Sequence, residues 1–360
     1  MPGGIAMKTR ITELFGIRHP VVLSGMSWIS TPEMVAAVTR AGGLGILATG
    51  VLTGDQTREY LRRTRELVDG PFAANTTLYF PGAERNAKIL LEEQVPVINF
   101  SLGKGDWICD AAHAYGGKVV ATVTTHKHAL AAQRDGADAL IVTGHEAAAH
   151  GGSVTSLVLV PSIADAVDIP VIAAGGFADG RGLAAALALG ADGIAMGTRF
   201  MNTAESPVDD KAKRLSTDSS VYDTVVTDKV DGMKMRGAAR PGIRRVERQF
   251  RNPYYAVKNS REIARMTGFP WSKLALGILA SGPKKTALMA RMANGFTAFR
   301  LGTTDGDVDS GVLPLGQTTG LVDDTPTVAD LIERVVGEAE AVIAGMESTT
   351  GVASDPVPVG

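Results

Sequence analysis

The stretch PVIAAGGFADGRGLAAALALGADGIAMGTRF, residues 170–200, contains two short apolar runs, each followed by glycine, with an alanine-rich segment between them. The middle segment begins at Asp179, a typical N-cap residue, and stops at Gly190, so it predicts a helix. The flanking runs are continuously apolar and predict parallel strands that are covered on both faces. We therefore expect a strand–helix–strand unit here.

Similar apolar runs recur along the preceding chain, most of them separated by alanine-rich helical stretches. With the two runs above there are eight, at 20–24, 44–48, 72–78, 95–100, 118–123, 139–144, 170–176 and 193–200. Eight strands alternating with helices favour a closed α/β (β/α)8 TIM barrel over an open doubly wound sheet. The barrel core is predicted over residues 8–200.

The pattern changes after residue 200, where the chain becomes richer in charge, glycine and proline. We interpret 201–320 as a C-terminal elaboration of helices and loops that forms a lid over the barrel mouth, with 301–320 as a candidate active-site loop. Residues 321–346, which end in an amphipathic helix over 327–346, are expected to pack on the barrel. A disordered tail is predicted over 347–360.

Composition restricts the function classes. A net charge of −2 gives no reason to expect nucleic acid or an anionic membrane as a partner. No apolar run is long enough to span a bilayer, and the first residues lack the apolar core of a signal peptide. Cys109 is the only cysteine, which favours a reducing compartment. These features predict a cytoplasmic enzyme with a small-molecule substrate, and they leave a homodimer open.

Two glycine-containing strand ends predict a phosphate site. Gly175-Gly176 and Gly197-Thr198 follow the seventh and eighth predicted strands, where phosphate sites of this fold commonly form from backbone N–H groups. Glycine lets the backbone come close to phosphate oxygens. The alternative is that both pairs are only tight turns between a strand and a helix.

His150 is the candidate acid/base, because it leaves the sixth predicted strand and is followed by two glycines. His145 is a weaker candidate. The two histidines are five residues apart, which on a helix would turn them about 140° from each other, so we predict no metal site. Ser24, Gly25 and Met26 follow the first strand, and Asn75 lies near the end of the third, where its amide could contact a heteroaromatic ring edge.

These blocks together resemble the nitronate monooxygenase family, formerly called 2-nitropropane dioxygenases, and the related FMN-dependent enoyl-acyl-carrier-protein reductases. The resemblance rests on HPVVLSGMSW, AAVTRAGGLGILA, HEAAAHGG, the 170–200 stretch and the Glu205 that follows. It implies FMN as cofactor and His150 as the catalytic histidine. The residues that it implies for the cofactor are Ser24, Gly25 and Met26 against the ring, Asn75 and Thr143 on the ring or ribityl chain, and Gly175, Gly176, Met196, Gly197 and Thr198 on the phosphate.

The sequence departs from the family in two places. The family usually shows Glu-Ala-Gly-Gly-His, whereas this chain has two alanines, Ala148 and Ala149, before His150. We expect Ala148 beside the cofactor, and the extra methyl groups to narrow the approach to the flavin or to exclude a positive φ. Thr143 stands where many nitronate monooxygenases have glutamine.

Three functions remain open. The leading hypothesis is oxidation of alkyl nitronates with O2, with His150 as acid/base. The alternative is an NAD(P)H-dependent reductase or dehydrogenase that acts on an enoyl or ring-derived acyl thioester of CoA or acyl carrier protein, or on a quinone, with NADH or NADPH as reductant. A flavin-storing barrel without activity is the third. The second hypothesis is motivated by a basic run that could hold phosphates and could equally be a solvated helix face, formed by Lys234, Arg236, Arg240, Arg244, Arg245, Arg248 and Arg251.

Overall fold

The computed structural model describes residues 7–79, 82–250, 252–267, 270–280 and 282–350. Eight parallel strands form a closed barrel in chain order, and the first strand closes on the last through the pair Val21 and Ile194. The predicted fold class is confirmed. The strands are β1 Val21–Leu23, β2 Leu44–Ala48, β3 Ala73–Thr77, β4 Val97–Ser101, β5 Lys118–Val123, β6 Ala139–Thr143, β7 Val171–Ala174 and β8 Gly193–Met196.

Each barrel strand is buried on both faces, which explains the continuous apolar runs. In β1, Val22 points into the barrel interior, whereas Val21 and Leu23 belong to the layer between strands and helices. All three are fully buried. The lower end of the barrel is closed by helix α1, Arg10–Phe15, whose Ile11 and Phe15 join the interior cluster.

Seven helices of the outer layer follow the first seven strands. Most begin at a residue whose side chain or conformation caps the first turn, as Thr31 does by accepting from the N–H of Met34. They are α2 Pro32–Arg40, α3 Gly54–Leu67, α4 Ala83–Glu92, α5 Asp106–His113, α6 His126–Arg134, α7 Ser156–Ala164 and α8 Gly180–Ala188.

A long insertion separates β8 from the last helix. It forms α9 Thr198–Met201, α10 Asp210–Thr217, the antiparallel strands β9 Thr224–Thr227 and β10 Met235–Ala238, α11 Pro241–Phe250, α12 Pro253–Thr267, α13 Trp271–Ala280, α14 Pro283–Thr303 and a 3-10 helix, Gln317–Leu321. The β9–β10 hairpin was not predicted. The insertion has apolar clusters of its own, one of which includes Ile29 after β1 and is therefore continuous with the barrel.

The last helix, α15 Val328–Thr350, packs against both α8 and α2 and so completes the outer layer of the barrel. Glu205, at the start of the insertion, caps it by accepting the N–H of Val328 at 2.9 and 3.1 Å. The helix includes residues 347–350, which we expected to belong to a disordered tail. Residues 351–360 of that predicted tail lie outside the described residues.

Cys109 lies on α5 and is buried in the layer between strands and helices. Burial raises the pKa of its thiol to about 12. Within the described part of the chain, no helix combines the length and apolarity needed to cross a bilayer.

Candidate functional site

A cavity of about 950 Å³ opens at the carboxyl ends of the barrel strands. This is the end at which TIM barrels carry their active sites. Its wall is built from the strand ends, from part of α6 and from the insertion, which contributes Asp231, Met233, Met292, Phe296 and Phe299. The predicted site residues that line it are Ser24, Gly25, Met26, Asn75, Thr143, Ala148, His150, Gly175, Gly176, Gly197 and Thr198.

The segment after β1 and the end of β3 are held together by one amide. The Oδ1 atom of Asn75 accepts the N–H of Thr49 at 3.2 Å, and its Nδ2 donates to the carbonyl of Gly25 at 3.4 Å. A Cβ at Gly25 would lie 2.7 Å from Cγ of Asn75, so only glycine fits against this side chain. Asn75 still has a second N–H, because a side-chain amide carries two donors.

Two consecutive glycines after β7 turn the chain along the cavity. Gly175 has a φ of 87° and Gly176 a φ of 91°, a region that other residues rarely adopt. Gly197 follows β8 and is the N-cap of α9, whose first N–H groups lack acceptors within the helix. The hydroxyl of Thr198 accepts the N–H of Gly316 at 3.0 Å, which brings the candidate loop 301–320 to the same place.

Met196 is the predicted cofactor residue that the structure does not bring into the cavity. Its side chain is 1% exposed and packs in the layer between strands and helices. The physical reason is strand alternation: Ala195 faces the interior, so its neighbour must face outwards. Met196 contributes only its carbonyl, which accepts the N–H of Ser24 at 3.1 Å.

The loop after β6 contains the candidate acid/base and two other ionisable residues. Glu146 accepts the N–H and the hydroxyl of Ser156 at 3.0 Å, which anchors the loop to the start of α7. The ring of His145 is hydrogen-bonded to the carbonyl of Gly152 at 3.0 Å and does not line the cavity. His150 does line it, and its side chain is 23% exposed.

The ring of His150 is paired with a carboxylate that sequence reasoning missed. Its Nε2 lies 2.6 Å from Oδ2 of Asp231, whose side chain is 4% exposed. Asp231 lies between β9 and β10, 81 residues further along the chain. The only local signal is the turn dipeptide Asp231-Gly232, which does not indicate a partner for the carboxylate.

The two alanines before His150 correct one expectation. We expected the methyl groups to narrow the approach to the flavin or to exclude a positive φ. Ala149 has a φ of 53°, so its methyl group does not exclude the left-handed conformation. The conformation is held by a backbone pair with Arg236, in which the Ala149 N–H and the Arg236 N–H each donate to the other's carbonyl at 3.0 and 2.8 Å. Ala148 and Ala149 both line the cavity.

The basic run does not form a single phosphate-binding face. Arg236 is 5% exposed, and its guanidinium donates to the carbonyl of His145 and to the hydroxyl of Thr224. Desolvation lowers the pKa of Arg236. Arg240 pairs with Asp309 on the surface, and none of the run's described members lines the cavity. Arg251 lies outside the described residues.

Comparison with known proteins agrees with this geometry. The family model "Nitronate monooxygenase" matches residues 8–88 and 79–338. One curated relative is (3aS,4S,5R,7aS)-5-hydroxy-7a-methyl-1-oxo-octahydro-1H-indene-4-carboxyl-CoA dehydrogenase of Rhodococcus jostii (strain RHA1), which is 40% identical over 338 residues, 92% of this chain and 96% of the relative.

Two solved structures are also similar. FabK from Thermotoga maritima has 34% sequence identity and a TM-score of 0.81, covering 95% of this chain and 99% of that one. Nitroalkane oxidase from Streptomyces ansochromogenes has 25% identity and a TM-score of 0.74, covering 93% and 99%. The barrel, the residues at its mouth and these matches together show that this chain is an oxidoreductase of the nitronate monooxygenase family.

Proposed function

We propose that this protein is an FMN-dependent oxidoreductase that acts on a ring-derived carboxyl-CoA thioester, at the carbon–carbon bond next to the thioester carbonyl. The observation that carries this proposal is the size and lining of the cavity into which His150 projects. At about 950 Å³ it is near the upper end of the usual range for ligand pockets, about 300–1,000 Å³. Such a space accommodates a cofactor together with a substrate larger than a nitroalkane.

The part of the cavity wall that the insertion forms suits an apolar ring system. Met233, Met292, Phe296 and Phe299 come from the insertion and face the strand ends across the cavity. Methionine and phenylalanine offer apolar surface that a fused alicyclic ring can bury. The 40% identical dehydrogenase is named for a bicyclic carboxyl-CoA, which supports the same substrate class.

The residues at the strand ends fit FMN. Gly175 and Gly176 bring bare backbone to the cavity wall, and the N–H groups that begin α9 after Gly197 could donate to an anionic phosphate there. Ser24, Gly25, Met26, Asn75, Thr143 and Ala148 line the rest of the strand-end wall and would contact the ring system and its chain. When bound, FMN supplies a two-electron acceptor or donor.

His150 would move the proton in either direction of the reaction. In dehydrogenation its imidazole removes the proton from the carbon next to the thioester carbonyl, which that carbonyl makes acidic. In reduction the protonated ring returns a proton to the same carbon. An imidazole can act in both ways, as a base when neutral and as an acid when protonated. The apolar lid residues exclude water from the reacting carbon.

Nitronate oxidation with O2 stays as a second candidate. It is favoured by the match to the nitronate monooxygenase model and by the position of His150, which could hydrogen-bond an anionic nitronate. The two candidates differ in the compound that reduces the cofactor, so one experiment separates them.

The test is anaerobic titration of the purified flavoprotein while the flavin absorbance is followed. A saturated alicyclic carboxyl-CoA thioester, propyl-2-nitronate, NADH and NADPH are added separately. We expect bleaching by the thioester, and reoxidation of nicotinamide-reduced protein by the corresponding enoyl thioester. Bleaching by the nitronate alone would refute the thioester proposal and support nitronate oxidation.

A variant tests the role of His150 in the same assay. His150→Ala should keep its flavin, because His150 is not among the residues that would hold the phosphate, and should lose turnover by about 100-fold or more. His145→Ala is the matched control, since this ring is hydrogen-bonded outside the cavity and should leave turnover within a few-fold of the parent. Equal losses in both variants would remove the assignment of His150.

A further inference from the structure

The carboxylate of Asp231 makes two hydrogen-bond contacts, one of them with the ring of His150. Oδ2 of Asp231 lies 2.6 Å from Nε2 of His150, and Oδ1 accepts the N–H of Met233 at 3.0 Å. Building on the function proposed above, in which His150 is the acid/base, we propose that Asp231 is a positioning residue. It keeps the hydrogen of the neutral imidazole on Nε2, so that Nδ1 exchanges the proton with the substrate.

The chemistry of the two groups leads to this assignment. An ionised carboxylate can only accept, so the hydrogen between the two side chains belongs to Nε2. A neutral imidazole carries one N–H, and Nδ1 therefore presents a lone pair. When the substrate C–H bond breaks, its electron pair stays on the thioester as an enolate and the proton forms a new N–H bond at Nδ1. The resulting imidazolium is stabilised by the carboxylate 2.6 Å away.

Asp231 is fixed by packing from two directions. The backbone pair between Ala149 and Arg236 ties the β9–β10 hairpin to the residue next to His150. On the other side, a Cβ at Gly295 of α14 would lie only 2.7 Å from the Cβ of Asp231. The carboxylate thus has little freedom to leave the imidazole.

The other charged groups near this pair are engaged elsewhere. Glu146, on the same loop as His150, accepts from Ser156, and Arg236 of β10 donates to the carbonyl of His145 and to Thr224. Of these charged groups in the described part of the chain, Asp231 is the one hydrogen-bonded to the His150 ring. The loop after β6 of the barrel supplies the acid/base, and the insertion supplies the residue that positions it.

The tautomer of His150 is measured directly in the wild-type flavoprotein. Protein labelled with 15N-histidine is examined by long-range 1H–15N correlation between about pH 6 and 9, and His150 is assigned from the signals missing in His150→Ala. We expect a protonated Nε2 and an unprotonated Nδ1 at the alkaline end. A neutral ring with its hydrogen on Nδ1 would overturn the proposal, and this result needs neither substrate nor turnover.

A matched pair of variants tests the consequence for activity. Asp231→Asn removes the buried charge, whereas Asp228→Asn makes the same change at an exposed residue of the same hairpin connection. In Asp231→Asn we expect kcat to fall at least about 10-fold, and the acidic limb of the kcat/KM profile to move to lower pH because the imidazolium has lost its counter-charge. Asp228→Asn should match the parent in both.

Two other outcomes have separate meanings. An unchanged kcat and an unchanged acidic limb in Asp231→Asn would refute the positioning role. If neither thioester nor nitronate reduces the parent protein, the proposed function fails, while the 15N measurement still decides the tautomer.

Discussion

At the scale of single residues, the cavity-lining residues at the carboxyl ends of the barrel strands could be predicted from the sequence. Gly175, Gly176 and His150 lie where a barrel places its functional groups, so their chain position alone predicted them. Asp231 was not predictable in this way, because it reaches His150 from a hairpin 81 residues away. The side chain of Met196 points away from the cavity, because the alternation within β8 decides its direction, and a contact of its backbone with the phosphate stays a prediction.

Gly25 permits a close contact with the side chain of Asn75, and we expect cofactor binding to depend on this contact. In Gly25→Ala the new methyl group would meet Cγ and Cβ of Asn75 at 2.7 and 2.9 Å, and the amide must move away from the cavity wall. We predict a loss of bound flavin of at least about 10-fold in affinity, measured by titrating the apoprotein with FMN. Gly50→Ala is the control, because a Cβ there meets nothing closer than 3.8 Å. Equal affinity in the two variants would contradict the prediction.

Ala149 adopts a conformation that glycine would adopt with less strain. With φ at 53°, Ala149→Gly relieves a left-handed strain of roughly 1–2 kcal/mol, partly offset by the greater freedom of glycine in the unfolded chain. We expect unfolding free energy to rise by about 0.5–1 kcal/mol. Ala148→Gly, where φ is not positive, should lower it by a similar amount. Urea unfolding of both variants checks the sign, and a fall in both would show that Ala149 carries no strain.

At the scale of elements, the barrel strands were predictable and the β9–β10 hairpin was not. The barrel strands are covered on both faces and read as apolar runs. In β9, Val225 and Val226 are adjacent and both exposed, so no alternation towards a core marks the strand. β9 is instead held by backbone hydrogen bonds to β10, which the side-chain pattern does not reveal.

The contact between α8 and α15 depends on Gly180. A Cβ there would lie 2.3 Å from Cβ of Glu338 and 2.4 Å from the backbone nitrogen of Ala339. Gly180→Ala should therefore destabilise the protein by about 1–3 kcal/mol or more through overpacking. Gly337→Ala, an exposed site on α15 where a Cβ meets nothing within 4 Å, should instead stabilise it by about 1 kcal/mol. Thermal unfolding of the two variants should shift in opposite directions, and a common direction would be evidence against this packing.

At the scale of the whole molecule, the sequence predicted a barrel with an elaboration, but not how the elaboration is attached. Attachment depends on contacts between residues far apart in the chain, such as Arg199 after β8 with Asp324 before α15 at 2.5 Å. Asp324 also pairs with Arg334 of α15 at 2.8 Å. Such pairs leave no periodic signal in a single sequence.

Acid stability should depend on this carboxylate. Hydrogen bonds from Arg334 and Arg199 hold the pKa of Asp324 below its ordinary value. The stability that it contributes is therefore complete above the unfolded-state pKa near 3.9, and is lost as the pH falls through the lower folded-state value. Asp324→Asn should cost about 1–3 kcal/mol at pH 7, less than a fully buried pair because Asp324 is 39% exposed. The difference from the parent should shrink below about pH 4 in urea unfolding, and a constant difference would exclude the ion pair as its source.

The burial of Cys109 gives the protein an internal reporter of its own unfolding. Since the chain has one thiol, and that thiol is enclosed between α5 and the strands with a pKa near 12, a disulfide reagent such as dithiobis(nitrobenzoate) meets no thiolate while the barrel is closed. The rate of labelling at neutral pH then measures how often this side of the barrel opens. Comparing the labelling rates with and without bound cofactor would show how far a cofactor at the barrel mouth slows the opening of the layer between α5 and the strands.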